Sequence, residues 1–209
     1  MLGAGTTKDA VNVVDIGDSS GTHLKYLKSL ISGSTVFGER NFNFISVNLD
    51  PIAVEKIRSK GQDAILCRAE ELYKKGINAN LFLSYEMLEH LYNPIDFLNN
   101  LSASSAQDAL FVLTVPYLAQ SRVGLHHIRH NQSHNVYPEN THIFELSPSD
   151  WKLIFYQSGW EVVEEMIYRQ YPQKSWKRMM KLFWKKYDFE GFYGVILKRN
   201  RAWAELYRG

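Results

Sequence analysis

Val13-Val14-Asp15-Ile16-Gly17-Asp18-Ser19-Ser20-Gly21-Thr22 is the stretch that decides the fold. An apolar run ends in an acid, passes two glycines and opens into an amphipathic segment. Residues 11–16 read as a buried strand. Residues 22–31 read as a helix with Leu24, Leu27, Leu30 and Ile31 along one face. Gly17 and Gly21 permit a tight turn and close approach of a ligand to the backbone. The helix start beyond them offers free N–H groups and the positive end of a dipole, which favour an anion. A dinucleotide fingerprint needs G-x-G-x-x-G, whereas this turn reads G-x-S-x-G. Asp15 would repel a pyrophosphate but accept a hydrogen bond from an ammonium. An amino-acid-like ligand, carrying an ammonium and a carboxylate, suits the turn better.

The same rhythm runs downstream. Residues 43–48 form a second strand, and Asp50-Pro51 starts a helix, with Asp as cap and Pro in the first turn. That helix carries Ile52, Val54 and Ile57 and ends near Gly61. Residues 63–67, 81–84 and 109–115 are further strands, with a helix over 94–101 before the last. This βαβαβ order calls for a parallel sheet with helices on both faces, and ligands in such sheets sit at the carboxyl ends of the strands. Residues 117–145 lack regular apolar spacing and read as a long loop or lid. Residues 147–159 form a helix capped by Ser147 with Pro148 first, and 160–168 and 192–198 are two last strands. The expectation is one α/β domain over residues 1–209. It is doubly wound and Rossmann-like, with a seven-stranded, mostly parallel sheet. A lid insertion at 117–146 follows strand five, and a basic aromatic helical insertion occupies 171–188.

Bulk composition bounds the function. Of the 209 residues 45% are apolar and 22% charged, which is ordinary for a globular protein. A net charge of +2 gives no overall nucleic-acid signature, so such a partner would need a local patch. Cys67 is the single cysteine, which rules out an internal disulfide and suits a reducing compartment. No apolar run has the length of a membrane span or the form of a signal peptide, so a cytoplasmic enzyme is the expectation.

The opening turn resembles motif I of class I S-adenosylmethionine-dependent methyltransferases, written D/E-x-G-x-G-x-G, with Ser19 at the middle glycine. The likeness continues in register. Residues 44–51 are similar to motif II, where the family usually places an acid that grips the ribose; here that position is Asn48. An amide can still bond a hydroxyl, though without charge assistance. Cys67-Arg68-Ala69-Glu70 resembles the segment that flanks the adenine, with Arg68 where Asp is usual. The resemblance implies S-adenosylmethionine held by Asp15, Gly17, Asp18, Ser19, Ser20 and Gly21. Asn48, Leu49 and Asp50 would continue that site, followed by Ala69 and Glu70 and by Ser84 and Tyr85.

Leu83-Ser84-Tyr85-Glu86-Met87-Leu88-Glu89-His90-Leu91 follows strand four. If residues 86–91 are helical, Glu86, Glu89 and His90 fall at i, i+3 and i+4 on one face. Two carboxylates and an imidazole can bind a divalent cation, and Thr141-His142-Ile143-Phe144-Glu145 offers His142 as a fourth ligand. The E-x-x-E-H pattern with a later H-x-F-E is similar to two metal-assisted branches, the ubiquinone-pathway O-methyltransferases and the small-RNA 3′-terminal 2′-O-methyltransferases. That likeness implies Mg²⁺ or a similar ion on Glu86, Glu89, His90 and His142, lowering the pKa of an acceptor hydroxyl. A metal-free alternative uses His90, His126, His127 or His142 as base, beside Glu86. A third reading leaves the cluster structural.

The aromatic stripe Trp176, Met180, Phe183 and Trp184 lies among Lys177, Arg178, Lys181 and Lys185. It suits a helix packed on the sheet, and peripheral membrane contact through 174–186 is the alternative. The function expected is methyl transfer from S-adenosylmethionine to a hydroxyl of a small molecule or a sugar or polysaccharide precursor. The rivals are a methyltransferase-like binding module without turnover and an RNA 2′-O-methyltransferase.

Overall fold

The computed structural model describes residues 10–36, 40–123, 142–169, 179–180 and 191–207. The β-branched run Val11–Ile16 is β1, and its last four residues are buried. It leads through the glycine turn into α1, Thr22–Ser32. Then come β2 (Phe42–Asn48), α2 (Pro51–Arg58), β3 (Asp63–Leu66), a 3-10 helix at Ala69–Lys75 and β4 (Leu81–Tyr85). A second 3-10 helix at Leu88–His90 precedes α3 (Pro94–Ser104) and β5 (Leu110–Pro116). The later part holds β6 (Arg122–Val123), β7 (Phe144–Glu145), α4 (Pro148–Gln157), β8 (Trp160–Arg169), β9 (Gly191–Arg199) and α5 (Ala202–Leu206).

Seven strands form one sheet in the order β3-β2-β1-β4-β5-β9-β8. The first five are parallel, and β9 inserts antiparallel between β5 and β8. The strand order reverses between β1 and β4, the kind of switch point beside which ligands bind. This is the expected Rossmann-like architecture.

Pleat alternation sets the core. Phe111, Leu113 and Val115 on β5 lie directly opposite Leu197, Val195 and Tyr193 on β9, and all six are buried on one face. Burying each such side chain contributes roughly 1.5–3 kcal/mol. Trp160 closes this core and donates its indole N–H to the Leu98 carbonyl at 3.0 Å. On the other face Leu24 of α1 packs with Val13 and Leu83.

The helix caps are those the sequence indicates. Asp50 accepts from the Ile52 N–H at 2.9 Å and Ser147 from the Asp150 N–H at 3.3 Å, each ahead of a first-turn proline. The structure corrects several expectations. Leu30 is exposed, because α1 turns it away from the sheet while Leu24 faces in, and Ile52 is exposed on the outer side of α2. Residues 86–91 are not an α-helix. Glu86 adopts φ +50, which breaks helical continuity, and only Leu88–His90 form a single 3-10 turn. The expected loop at 117–145 contains a two-stranded antiparallel ribbon, β6 with β7. Residues 124–141 lie outside the described residues, and with them the sequence candidates His126 and His127. The basic aromatic stripe lies outside too, apart from Met180. No helix among the described residues is long and apolar enough to cross a membrane.

Candidate active site

The turn after β1 is built around Asp18. Its Oδ1 accepts from the N–H groups of Ser20 (3.0 Å) and Gly21 (2.7 Å), and its Oδ2 accepts from Ser46 Oγ (2.7 Å). Asn48 donates from Nδ2 to the Asp18 carbonyl at 2.9 Å and accepts the Asp50 N–H at 2.8 Å. Thus Asp18 and Asn48, both read as cofactor contacts, spend these groups on lacing the turn to the end of β2. Gly17 lies at φ +90 and Gly21 at φ +73, conformations that side-chain-bearing residues rarely adopt. A Cβ at Gly17 would also come within 3.0 Å of Met87 Cγ. Ser19 is exposed at the outer bend, so a serine there fills open space.

Asp15 sits beneath this turn, 1% exposed. Its Oδ2 accepts from His23 Nδ1 at 3.0 Å, while Oδ1 is buried without a hydrogen-bond partner. Burial pushes the Asp15 carboxyl above its usual range, against the lowering effect of His23. An amino-acid ammonium would satisfy Oδ1, so the cradle fits the amino-acid end of S-adenosylmethionine. Leu49 follows Asn48 and is 63% exposed at the carboxyl end of β2, open to an apolar ring. Ala69 and Glu70 begin the 3-10 helix after β3, where Glu70 pairs with Arg68 at 3.3 Å. Ser84 is buried at the end of β4 with its hydroxyl unpartnered, and Tyr85 stands edge-on to His23 with ring centroids 4.6 Å apart.

A second group lies just beyond β4. One ligand-type atom from each of Glu89, His90 and His142 lies within 4.8 Å of the other two. The backbone builds this meeting. Ile143 donates its N–H to the Glu89 carbonyl at 2.7 Å, tying the start of β7 to the 3-10 turn. His142 is fixed through Nδ1 to Glu145 Oε1 at 3.0 Å, and Glu145 Oε2 receives Arg122 Nε at 2.5 Å. Glu89 is 0% exposed, and both its carboxylate oxygens are buried without a hydrogen-bond partner. Burial, with the charges of Glu86 and Glu145, pushes its carboxyl up to about 8. Glu86 is close enough to act on Glu89 electrostatically but stands outside the three-residue group, because its positive φ turns it off the expected helical face. Burial raises the Glu86 carboxyl too.

Sequence reading missed two residues of this region. His23 lies eight positions after Asp15, a spacing that pairs them only across the strand–turn–helix bend. Glu145 is visible in the H-x-F-E pattern, where an acid three residues after a histidine is the available signal.

The profile of the methyltransferase domain family matches residues 3–165, most of the chain. The chain belongs to this family, within the class I S-adenosylmethionine-dependent methyltransferases, whose cofactor is S-adenosylmethionine. No curated protein matches it in sequence. Solved structures share the fold at low identity. One is the Haloferax volcanii complex between the Trm112 methyltransferase activator and a methyltransferase, at 14% identity and TM-score 0.64, covering 93% of this chain and 84% of that one. Another is the O-methyltransferase from a trans-AT PKS multienzyme of Brevibacillus brevis with S-adenosyl-L-homocysteine, at 10% identity and TM-score 0.61, covering 94% and 69%. A third is the Burkholderia thailandensis 1,6-didemethyltoxoflavin-N1-methyltransferase with bound substrate and S-adenosylhomocysteine, at 13% identity and TM-score 0.58, covering 91% and 72%. Oxygen and nitrogen acceptors therefore share this architecture, and the acceptor must be argued from the site.

Proposed function

We propose that this chain is an O-methyltransferase acting on a hydroxyl of a small molecule or saccharide, with the acceptor oxygen placed against Glu89, His90 and His142. The observation that carries the reading is the Glu89 carboxylate, fully buried with neither oxygen hydrogen-bonded to another residue, His90 Nε2 3.8 Å from its Oε1 and His142 in the same group of ligand-type atoms. A buried acid so poorly supplied with donors favours either a proton or a cation. A carboxylate and two imidazoles are a donor set for a divalent ion.

S-adenosylmethionine supplies an activated methyl on a sulfonium, so the protein's tasks are positioning and management of the acceptor proton. Asp15 and the glycine turn receive the amino-acid end. Tyr85 ends β4 and stands against His23 of the cradle. Glu89, His90 and His142 would hold Mg²⁺ or a similar ion, which lowers the pKa of a bound hydroxyl. Glu145 holds His142 in one tautomer, with Nδ1 protonated toward the carboxylate and Nε2 left as a lone-pair donor.

The test is methyl transfer from labelled S-adenosylmethionine to a panel of sugar and phenolic hydroxyl acceptors, with and without EDTA. The reading expects turnover lost in EDTA and restored by Mg²⁺ or Mn²⁺. Manganese binding, followed by electron paramagnetic resonance, should disappear in Glu89→Gln. Transfer to amines alone, or full activity in EDTA together with full activity of Glu89→Gln, would overturn it.

A further inference from the structure

The Asp15–His23 pair has a geometry that ordinary turn-building does not require. Asp18 already holds the turn with both carboxylate oxygens. His23 is on α1, with its side chain 46% exposed, and its ring reaches back to the buried Asp15. Tyr85 braces the ring from β4 at an interplanar angle of 64°. The charged and titratable groups around this ring are Asp15 from β1, Asp18 from the turn and Tyr85 from β4. Lys60 donates to the Ser20 carbonyl of the turn at 2.6 Å.

We propose that His23 is the positioning residue of the cofactor cradle: as an imidazolium it holds Asp15 through Oδ2, presents Oδ1 to the α-ammonium of the cofactor, and releases its proton to solvent when that ammonium docks. The inference rests on the cofactor reading above. In the free protein, His23 is the cation that offsets a carboxylate taken out of water. The bond to Asp15 favours the charged ring and raises its pKa. An incoming ammonium then places a second positive charge on the same carboxylate. Asp18 cannot absorb it, because its oxygens are spent on Ser20, Gly21 and Ser46. The half-exposed ring can lose its proton to water, whereas the ammonium, fixed on the cofactor, stays. Neutral His23 still donates from Nδ1 to Oδ2, so Asp15 keeps its orientation. No bond is made or broken besides this proton transfer.

The sign of the linkage follows. Binding favours the neutral ring, so affinity rises as pH increases toward the His23 value of the free protein and levels off above it. The test is an NMR titration of the histidine ring nitrogens with and without saturating S-adenosylhomocysteine, the His23 signal being assigned by its loss in His23→Gln. The expected result is a His23 titration midpoint above about 6.5 in the free protein that moves down on saturation. Calorimetry in buffers of different ionisation enthalpy should show proton release on binding below the His23 midpoint of the free protein, reduced in His23→Gln. The variant should bind about tenfold more weakly, the loss of one charge-assisted bond. A midpoint unmoved by saturation, or equal proton release in the variant, would overturn the inference while leaving cofactor binding intact. Failure of S-adenosylhomocysteine to bind the unmodified protein at any pH would overturn the cofactor reading itself.

Discussion

The ring of His142 stands edge-on to that of His90, with centroids 4.8 Å apart and planes at 82°. Both face Glu89, and Glu145 anchors His142 from behind at 3.0 Å. The cluster proposed to hold a metal therefore has an outer support as well as donor atoms. Glu145→Gln should leave the fold in place and weaken Mn²⁺ binding and Mg²⁺-supported turnover by roughly 10–100-fold, the usual cost of losing such a support. Mn²⁺ titration followed by electron paramagnetic resonance measures it.

Glu89 also makes a stability prediction. Its carboxyl is held up near 8 when folded, against an ordinary value of 4.5. Between those values the folded state binds a proton that the unfolded state does not, so stability falls as pH rises through the window. The melting temperature of the metal-free protein should drop from about pH 5 to about pH 8. In Glu89→Gln this contribution should vanish, and in the unmodified protein added Mg²⁺ should offset it. Thermal denaturation across pH, in chelator and in Mg²⁺, gives the comparison. An equal slope in the unmodified protein and the variant would contradict the assignment.

Gly17→Ala combines two costs. The methyl group must accept φ +90 and meet Met87 Cγ at 3.0 Å. A loss of about 1–3 kcal/mol in stability is expected from the backbone alone. Cofactor binding should fall with it, read by calorimetry with S-adenosylhomocysteine.

Asn48→Asp would install the acid usual at this position in the family, yet it should weaken this protein. The carboxylate has no donor for the Asp18 carbonyl that Asn48 Nδ2 now serves at 2.9 Å. A loss of about 1 kcal/mol is expected by urea denaturation, and affinity for S-adenosylhomocysteine should not increase.

Much of this was readable from the residues in order. The run from Val13 to Gly21, the Asp50-Pro51 and Ser147-Pro148 caps and the β-branched strands carry local signals, and local signals specify local structure. The antiparallel insertion of β9 between β5 and β8 is a long-range pairing that no local pattern encodes. The cluster after β4 shows the same divide. Its residue types were legible, but the helical spacing assumed for Glu86, Glu89 and His90 failed at one backbone angle, the φ of +50 at Glu86. The partnership of His23 with Asp15 was hidden because it spans a bend, where sequence distance says little about spatial distance.

Ser46 and Asn48, both on β2, hold Asp18 by its side chain and its carbonyl. The segments proposed to receive the amino-acid end and the sugar end of the cofactor are thus parts of one frame rather than two loops that settle separately. Such a frame works as a caliper. On the proposed cofactor placement it would measure the span between ammonium and ribose, and it should reject cofactor analogues whose linking chain is one carbon longer or shorter even when every recognised group is retained.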